Sequence, residues 1–104
     1  MLTDDRNDPA LRVTGANGMQ LKYLVLSEQE RAQGFVRPVR QSYQHDTCGV
    51  ITTMGLALAE TYARQPDFYG ATFCAKCRSH FPVGEYGQFV WVEGGQITDL
   101  KVGT

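Results

Sequence analysis

His45 and Cys48 stand three positions apart, Cys74 and Cys77 repeat that spacing, and His80 follows three residues later. These H-x-x-C and C-x-x-C-x-x-H strings contain every histidine and cysteine among the 104 residues. Thiolate and imidazole groups at this spacing suit one tetrahedral zinc ion, whose ligands must converge at about 2.0–2.3 Å. A tight turn between paired ligands lets two side chains face the same ion. A glycine after the second ligand eases that turn because it tolerates positive φ. Gly49 fills this place after Cys48, whereas Arg78 follows Cys77. The expected ligands of one structural Zn2+ are therefore His45, Cys48, Cys74 and Cys77, with His80 as the alternative fourth ligand. Paired knuckles favour His45 and leave His80 beside the site or on the surface. The plain alternative makes Cys48 a small buried apolar group and Cys74/Cys77 an incidental pair.

Catalytic readings of the cluster meet specific obstacles. A redox dithiol is expected at a helix N-terminus within a βαβ unit, but Phe81-Pro82 follows Cys74/Cys77 almost at once. The zinc deaminases use H-x-E followed by P-C-x-x-C. Here Thr47 stands where the glutamate should be, Phe73 replaces the proline, and Cys48 is free to close the coordination sphere. Glu60 and Glu85 are the carboxylates a hydrolytic zinc would need, yet both read as solvated side chains. Neither a phosphate-binding loop nor a G-x-S-x-G elbow occurs. The chain is expected not to be an enzyme, with a zinc hydrolase or deaminase-like activity as the weakest reading.

Composition bounds the partners. The chain is 42% hydrophobic and 20% charged, which fits one ordinary globular domain that gains from a metal staple. The net charge of −1 gives no case for bulk binding to nucleic acid. The stretch from Arg31 to Arg78 nevertheless carries six basic residues against three acidic ones. Within it, Arg37, Arg40, Lys76 and Arg78, with Phe35, Tyr43 and Phe73 interleaved, could touch phosphates and stack on bases. Tyr43, Tyr69, Tyr86 and Trp91 are candidate anchors for a protein partner; the plain alternative is that Trp91 and Phe89 split between the two faces of the hairpin, with one simply in the core. Met1 to Arg6 is acidic and polar, so no secretory leader is expected, and no apolar run is long enough for a membrane span. The cytoplasm is the expected compartment.

The elements that must position these groups are partly legible. Residues 1–18, rich in Asp, Asn, Gly and Pro, read as a loosely ordered lead-in with a short strand possible at Leu11-Arg12-Val13; residues 19–104 read as a single zinc-stabilised domain. Gln20 to Leu26 reads as a strand. Ser27-Glu28-Gln29-Glu30 spells a capping box, and Gly34 ends the short helix that it starts. Phe35 to Val39 reads as an extended edge segment limited by Pro38. A longer helix is expected from Thr53 to Arg64, capped by Thr52 or Thr53, with Met54, Leu58 and Tyr62 on one face and Pro66 preventing continuation. Pro66 to Gly70 is a turn whose Phe68 and Tyr69 plug the core. Gly94-Gly95 joins Phe89–Glu93 to Gln96–Val102 in a hairpin.

Two knuckles whose facing cysteines lie 26 positions apart, together with that hairpin, resemble a zinc ribbon over about half of the chain. The helix between the knuckles departs from the plain pattern and leaves a treble-clef-like arrangement open. The string from Arg37-Pro38-Val39-Arg40 to His80-Phe81-Pro82-Val83-Gly84-Glu85 also resembles small uncharacterised zinc-binding proteins of phages and prophages, a likeness that implies no activity. The reading is an α+β zinc-ribbon or treble-clef-like module that binds another protein, with nucleic acid as the alternative partner and no small-molecule substrate evident.

Overall fold

The computed structural model describes residues 2–104. Eight strands and two helices occur among them: β1 (Leu2–Thr3), β2 (Tyr23–Leu24), α1 (Glu28–Arg31), β3 (Ser42–His45), β4 (Ile51–Thr53), α2 (Leu56–Arg64), β5 (Ala71–Cys74), β6 (Ser79–Pro82), β7 (Phe89–Glu93) and β8 (Gln96–Lys101). Helix and strand are mixed, so the fold is α+β. Among the described residues, no helix is long and apolar enough to cross a membrane.

The centre is an antiparallel sheet in the order β4-β3-β7-β8. Pairing of Tyr43 with Trp91 and Thr52, and of His45 with Phe89, puts these five side chains on one face by the two-residue period of a strand. That inner face meets Ala59 and Tyr62 of α2, with Met54, Cys74 and Val102 completing the buried cluster. Tyr62 and Tyr43 both meet Trp91 edge-on, at 5.6 and 6.3 Å between ring centroids. Phe89 and Trp91 therefore do not split between faces. They lie two residues apart, share the inner face, and are both buried.

Local chemistry explains most element ends. The Ser27 hydroxyl accepts from the Glu30 N–H, the Glu30 carboxylate accepts from the Ser27 N–H, and Gly34 follows at φ 106°. Gly94 and Gly95 both have positive φ and close the β7–β8 hairpin. The longer helix differs from its sequence reading. Thr52 and Thr53 pair with Tyr43 and Ser42 in the β3–β4 ladder, so the helix begins only at Leu56, after Gly55, without a side-chain cap. β-branched threonines suit the pleated ladder better than a first helical turn. Arg64 sits in the last turn as expected and donates to the Gly34 carbonyl at 3.3 Å.

Three further segments depart from expectation. Phe35 to Val39 forms no strand; the Val36 and Arg37 N–H groups both donate to the Ala63 carbonyl at the end of α2. Of Gln20 to Leu26, only Tyr23–Leu24 is strand, paired in parallel with Leu2–Thr3. Leu11 and Arg12 lie in a single 3-10 turn over Pro9–Arg12, capped by the Asp8 carboxylate, rather than in a strand.

Burial pushes the Tyr43 phenol up to about 12; the Thr72 hydroxyl opposes this, while Tyr23 and Cys74 add to it. Because the folded value lies above the ordinary 10.0, the neutral phenol is the form that the fold favours. Its contribution is complete below pH 10.0 and is lost as pH rises towards about 12. Alkaline titration should therefore unfold the protein over that window. Phenolate absorption should appear together with loss of circular dichroism, rather than at pH 10 in a protein that stays folded.

Candidate metal centre

Both knuckles are hairpin turns. The first joins β3 to β4 through Asp46–Val50, and the second joins β5 to β6 through Ala75–Arg78. In each, the first candidate ligand is the last residue of the incoming strand: His45 ends β3 and Cys74 ends β5. The Gly49 N–H donates to the His45 carbonyl at 2.8 Å, and the Arg78 N–H donates to the Cys74 carbonyl at the same distance. Gly49 and Arg78 have φ of 75° and 55°, so the left-handed residue that closes the turn is glycine in one knuckle and arginine in the other. The two loops are thus backbone copies of each other.

The copies face one another because of the sheet. Pleating turns His45 to the inner face, where it is 1% exposed and lies between the rings of Phe81 and Phe89 at 4.5 and 4.8 Å. The β5–β6 hairpin packs at that end of the core through Cys74 and Phe81. Nδ1 of His45 lies 3.4 Å from Cys48 Sγ and 3.7 Å from Cys77 Sγ, and Cys48 Sγ lies 3.5 Å from Cys74 Sγ. All four candidate ligand atoms fall within 4.8 Å of one another. A tetrahedral ion with metal–sulfur bonds of about 2.3 Å and metal–nitrogen bonds of about 2.0 Å would have edges of about 3.5–3.8 Å. The donor set fits one metal ion.

The imidazole is oriented for this role. With Nδ1 facing the sulfurs, Nε2 carries the proton and donates to Gln88 Oε1 at 2.8 Å. Gln88 also fixes the first knuckle through its carbonyl, which accepts from the Asp46 N–H at 2.8 Å. No motif flagged Gln88; its place one residue before Phe89, the partner of His45 in the ladder, is the signal that finds it.

Electrostatics separates the thiols. Burial alone would raise Cys74, but N–H groups of Cys77 and Lys76 and the Cys48 thiol outweigh it and hold Cys74 below its ordinary value. Cys77 is pushed up to about 11 by desolvation first, then by the neighbouring Cys74 and Cys48 sulfurs. Three sulfurs this close cannot all ionise without a cation between them.

His80 is not among the clustered ligand atoms. It points instead to Tyr23, sharing a hydrogen bond of 2.8 Å between Nε2 and the phenol oxygen, and also meets Phe73. The carboxylates considered for a hydrolytic site are likewise elsewhere: Glu60 pairs with Arg31 at 2.6 Å, and Glu85 is exposed in its turn.

The proposed contact residues divide. Lys76 and Arg78 are exposed on the second knuckle, and Arg37 is exposed, donating to the Thr104 and Val36 carbonyls. Arg40 is withdrawn, since its guanidinium lies 4.9 Å from the Trp91 ring centroid and 3.6 Å from Glu93. Tyr43 is 2% exposed and donates to the Phe73 carbonyl, so it is a core residue rather than a partner contact. Trp91 is buried, Tyr69 is half-buried and donates to the Leu24 carbonyl, and only Tyr86 of the candidate anchors is open, at 92%.

The second knuckle has an unexpected prop. Gly18, at φ 87°, packs so closely on it that a Cβ there would lie 2.0 Å from the Arg78 carbonyl oxygen. Gly18→Ala should cost roughly 1–3 kcal/mol, from the strained φ and from displacing the Gly15–Met19 turn. Arg78→Gly should instead gain about 0.5–1 kcal/mol by relieving the left-handed arginine. Melting temperatures of the metal-loaded variants check both signs, and two shifts in the same direction would refute the assignment.

Compared with known protein families, curated proteins and solved structures, the chain finds no match.

Proposed function

We propose that the chain is a non-enzymatic binding module whose zinc-ribbon-like centre is a structural staple, and that its partner is another protein. The observation that carries this reading is the closed donor set. Three cysteine sulfurs and one histidine nitrogen converge from two facing hairpins, with His45 and Cys74 fully buried. Such a set leaves no position for a reacting water, and sulfur-rich tetrahedral sites are characteristic of structural Zn2+.

A protein partner is favoured over nucleic acid because Arg40, one of the expected phosphate contacts, is occupied within the fold; Tyr43, expected for either kind of partner, is buried as well. Exposed apolar groups remain at Phe35, Val36 and Val39 on the loop before β3, and at Tyr86. These are the side chains such a partner would cover. A cytoplasmic setting, where thiols stay reduced, and a phage or prophage origin belong to the same proposal.

Two measurements test it. Purified protein should carry one zinc per chain, and its cobalt-substituted form should show the absorption of a four-coordinate, thiolate-rich site; a five-coordinate spectrum would restore the hydrolytic reading. Retention on heparin or single-stranded DNA should be weak and nearly independent of salt. Strong retention that falls steeply with salt would transfer the role to nucleic-acid binding.

A further inference from the structure

Beside the metal centre, the fold encloses a second feature that none of the readings above uses. A cavity of about 510 Å³ opens between β4, β5, α2 and the turn around Gly15–Tyr23. Its walls include Leu58, Tyr62, Tyr69 and Phe73, with Met19 and Leu21 at the N-terminal side. Small-molecule sites typically occupy roughly 300–1,000 Å³ and combine apolar walls with a few placed polar groups. Among the described residues, no Asp, Glu, Lys, Arg or His lines this cavity.

One polar group in its wall is unsatisfied. Tyr62 is 4% exposed, and its hydroxyl has no hydrogen-bond partner. The nearby Thr72 hydroxyl donates instead to the Tyr43 oxygen at 3.3 Å. The other three phenols that line the cavity have partners: Tyr43 donates to the Phe73 carbonyl and Tyr69 to the Leu24 carbonyl, each at 2.5 Å, and the Tyr23 phenol shares a hydrogen bond of 2.8 Å with His80 Nε2. A buried hydroxyl without a partner is costly, and native structures keep few of them. Burial raises the Tyr62 phenol well above its ordinary value, so it is a neutral donor at all moderate pH.

We propose that this cavity binds a neutral, largely apolar small molecule of roughly ten to twenty non-hydrogen atoms whose carbonyl or similar acceptor takes the Tyr62 hydrogen bond. Neutrality follows from the uncharged walls, because an ionised ligand would lose its hydration with nothing to replace it. The acceptor follows from the one buried donor of the lining that has no partner, the Tyr62 hydroxyl. The proposal does not depend on the metal or on the protein partner.

Three probes of nine non-hydrogen atoms separate these claims: acetophenone (neutral, with an acceptor), isopropylbenzene (neutral, without one) and benzoate (charged). Each is titrated into the isotopically labelled, metal-loaded full chain and followed by amide chemical shifts. Acetophenone should give saturable shifts at Leu58, Tyr69, Thr72 and Phe73. Isopropylbenzene should bind the same residues about tenfold more weakly, the usual worth of one hydrogen bond, and benzoate should leave them unmoved. Tyr62→Phe removes an unsatisfied group, so it should melt no lower than the parent protein and should bind acetophenone and isopropylbenzene equally. The comparison of probes in the parent protein stands even if that variant folds poorly. Absence of saturable shifts, or an unchanged ketone preference in Tyr62→Phe, overturns the proposal. Shifts confined to Phe35–Val39 also overturn it, in favour of a surface that takes partner side chains.

Discussion

Stripping the metal with a strong chelator at neutral pH should unfold at least residues 42–104, with collapse of amide dispersion and loss of near-ultraviolet dichroism. A structural zinc site contributes on the order of 10–16 kcal/mol of binding free energy at pH 7, against a typical domain stability of about 5–15 kcal/mol. The ion would also tie together two sheets that share no strand ladder, since β5 and β6 form their own two-stranded sheet and meet the central one only through packing and isolated hydrogen bonds. His45 belongs to both worlds: its nitrogen faces the sulfurs while its ring stacks on Phe89 of the main core. Loss of the ion therefore loosens the inner face as well as the knuckles.

Variants sharpen the expectation. Cys74→Ser should lose stoichiometric metal and behave like the chelated protein. Gln88→Ala should keep the fold but weaken metal binding by about 10–100-fold, because the imidazole loses the acceptor that fixes its tautomer. His80→Ala should keep one ion per chain. A chelated protein with unchanged melting temperature and dispersion would refute the centre outright, and metal loss in His80→Ala would refute its ligand set.

Replacing Trp91 by alanine should cost about 4–5 kcal/mol, enough to leave the metal-loaded protein marginally folded at ambient temperature. The residue is 2% exposed and is contacted on several sides. Tyr43 and Tyr62 meet it edge-on, each pair worth about 0.5–1.5 kcal/mol beyond simple burial. Arg40 lies against the ring with its Nε lacking any hydrogen-bond partner, so the indole face and the Glu93 carboxylate at 3.6 Å together offset the desolvation of that cation. Removing the ring leaves both a cavity and a poorly solvated guanidinium. Trp91→Phe should retain most of the stability, since the aromatic face survives. Denaturant titration in excess zinc measures both changes, and a loss below about 1 kcal/mol for the alanine variant would contradict the packing described.

The cluster that could hold a metal was legible because its chemistry is local: two knuckles, each spelled within four residues. The same holds for the Ser27–Glu30 capping box and the Gly94-Gly95 turn, where one side chain or one positive φ decides the conformation. What stayed hidden depends on partners distant in sequence. Nothing in Thr52-Thr53 says that the β3 ladder will claim them before a helix can. Arg40 reads as a phosphate contact until Trp91 is seen beneath it, and Gln88 reads as a strand flank until His45 pairs with its neighbour. The shared facing of Phe89 and Trp91, by contrast, follows from the two-residue period of the strand alone, since they stand two positions apart.

Within the four-residue cluster the burial is unequal, with Cys74 sealed and Cys77 at the surface. An ion held there has one vulnerable corner. Oxidants, alkylating agents and competing chelators all gain entry at the same sulfur, and detachment there separates the second hairpin from its anchor. The lifetime of the folded domain is then governed by how often that single thiolate is attacked, a kinetic quantity that equilibrium measurements on intact protein would miss.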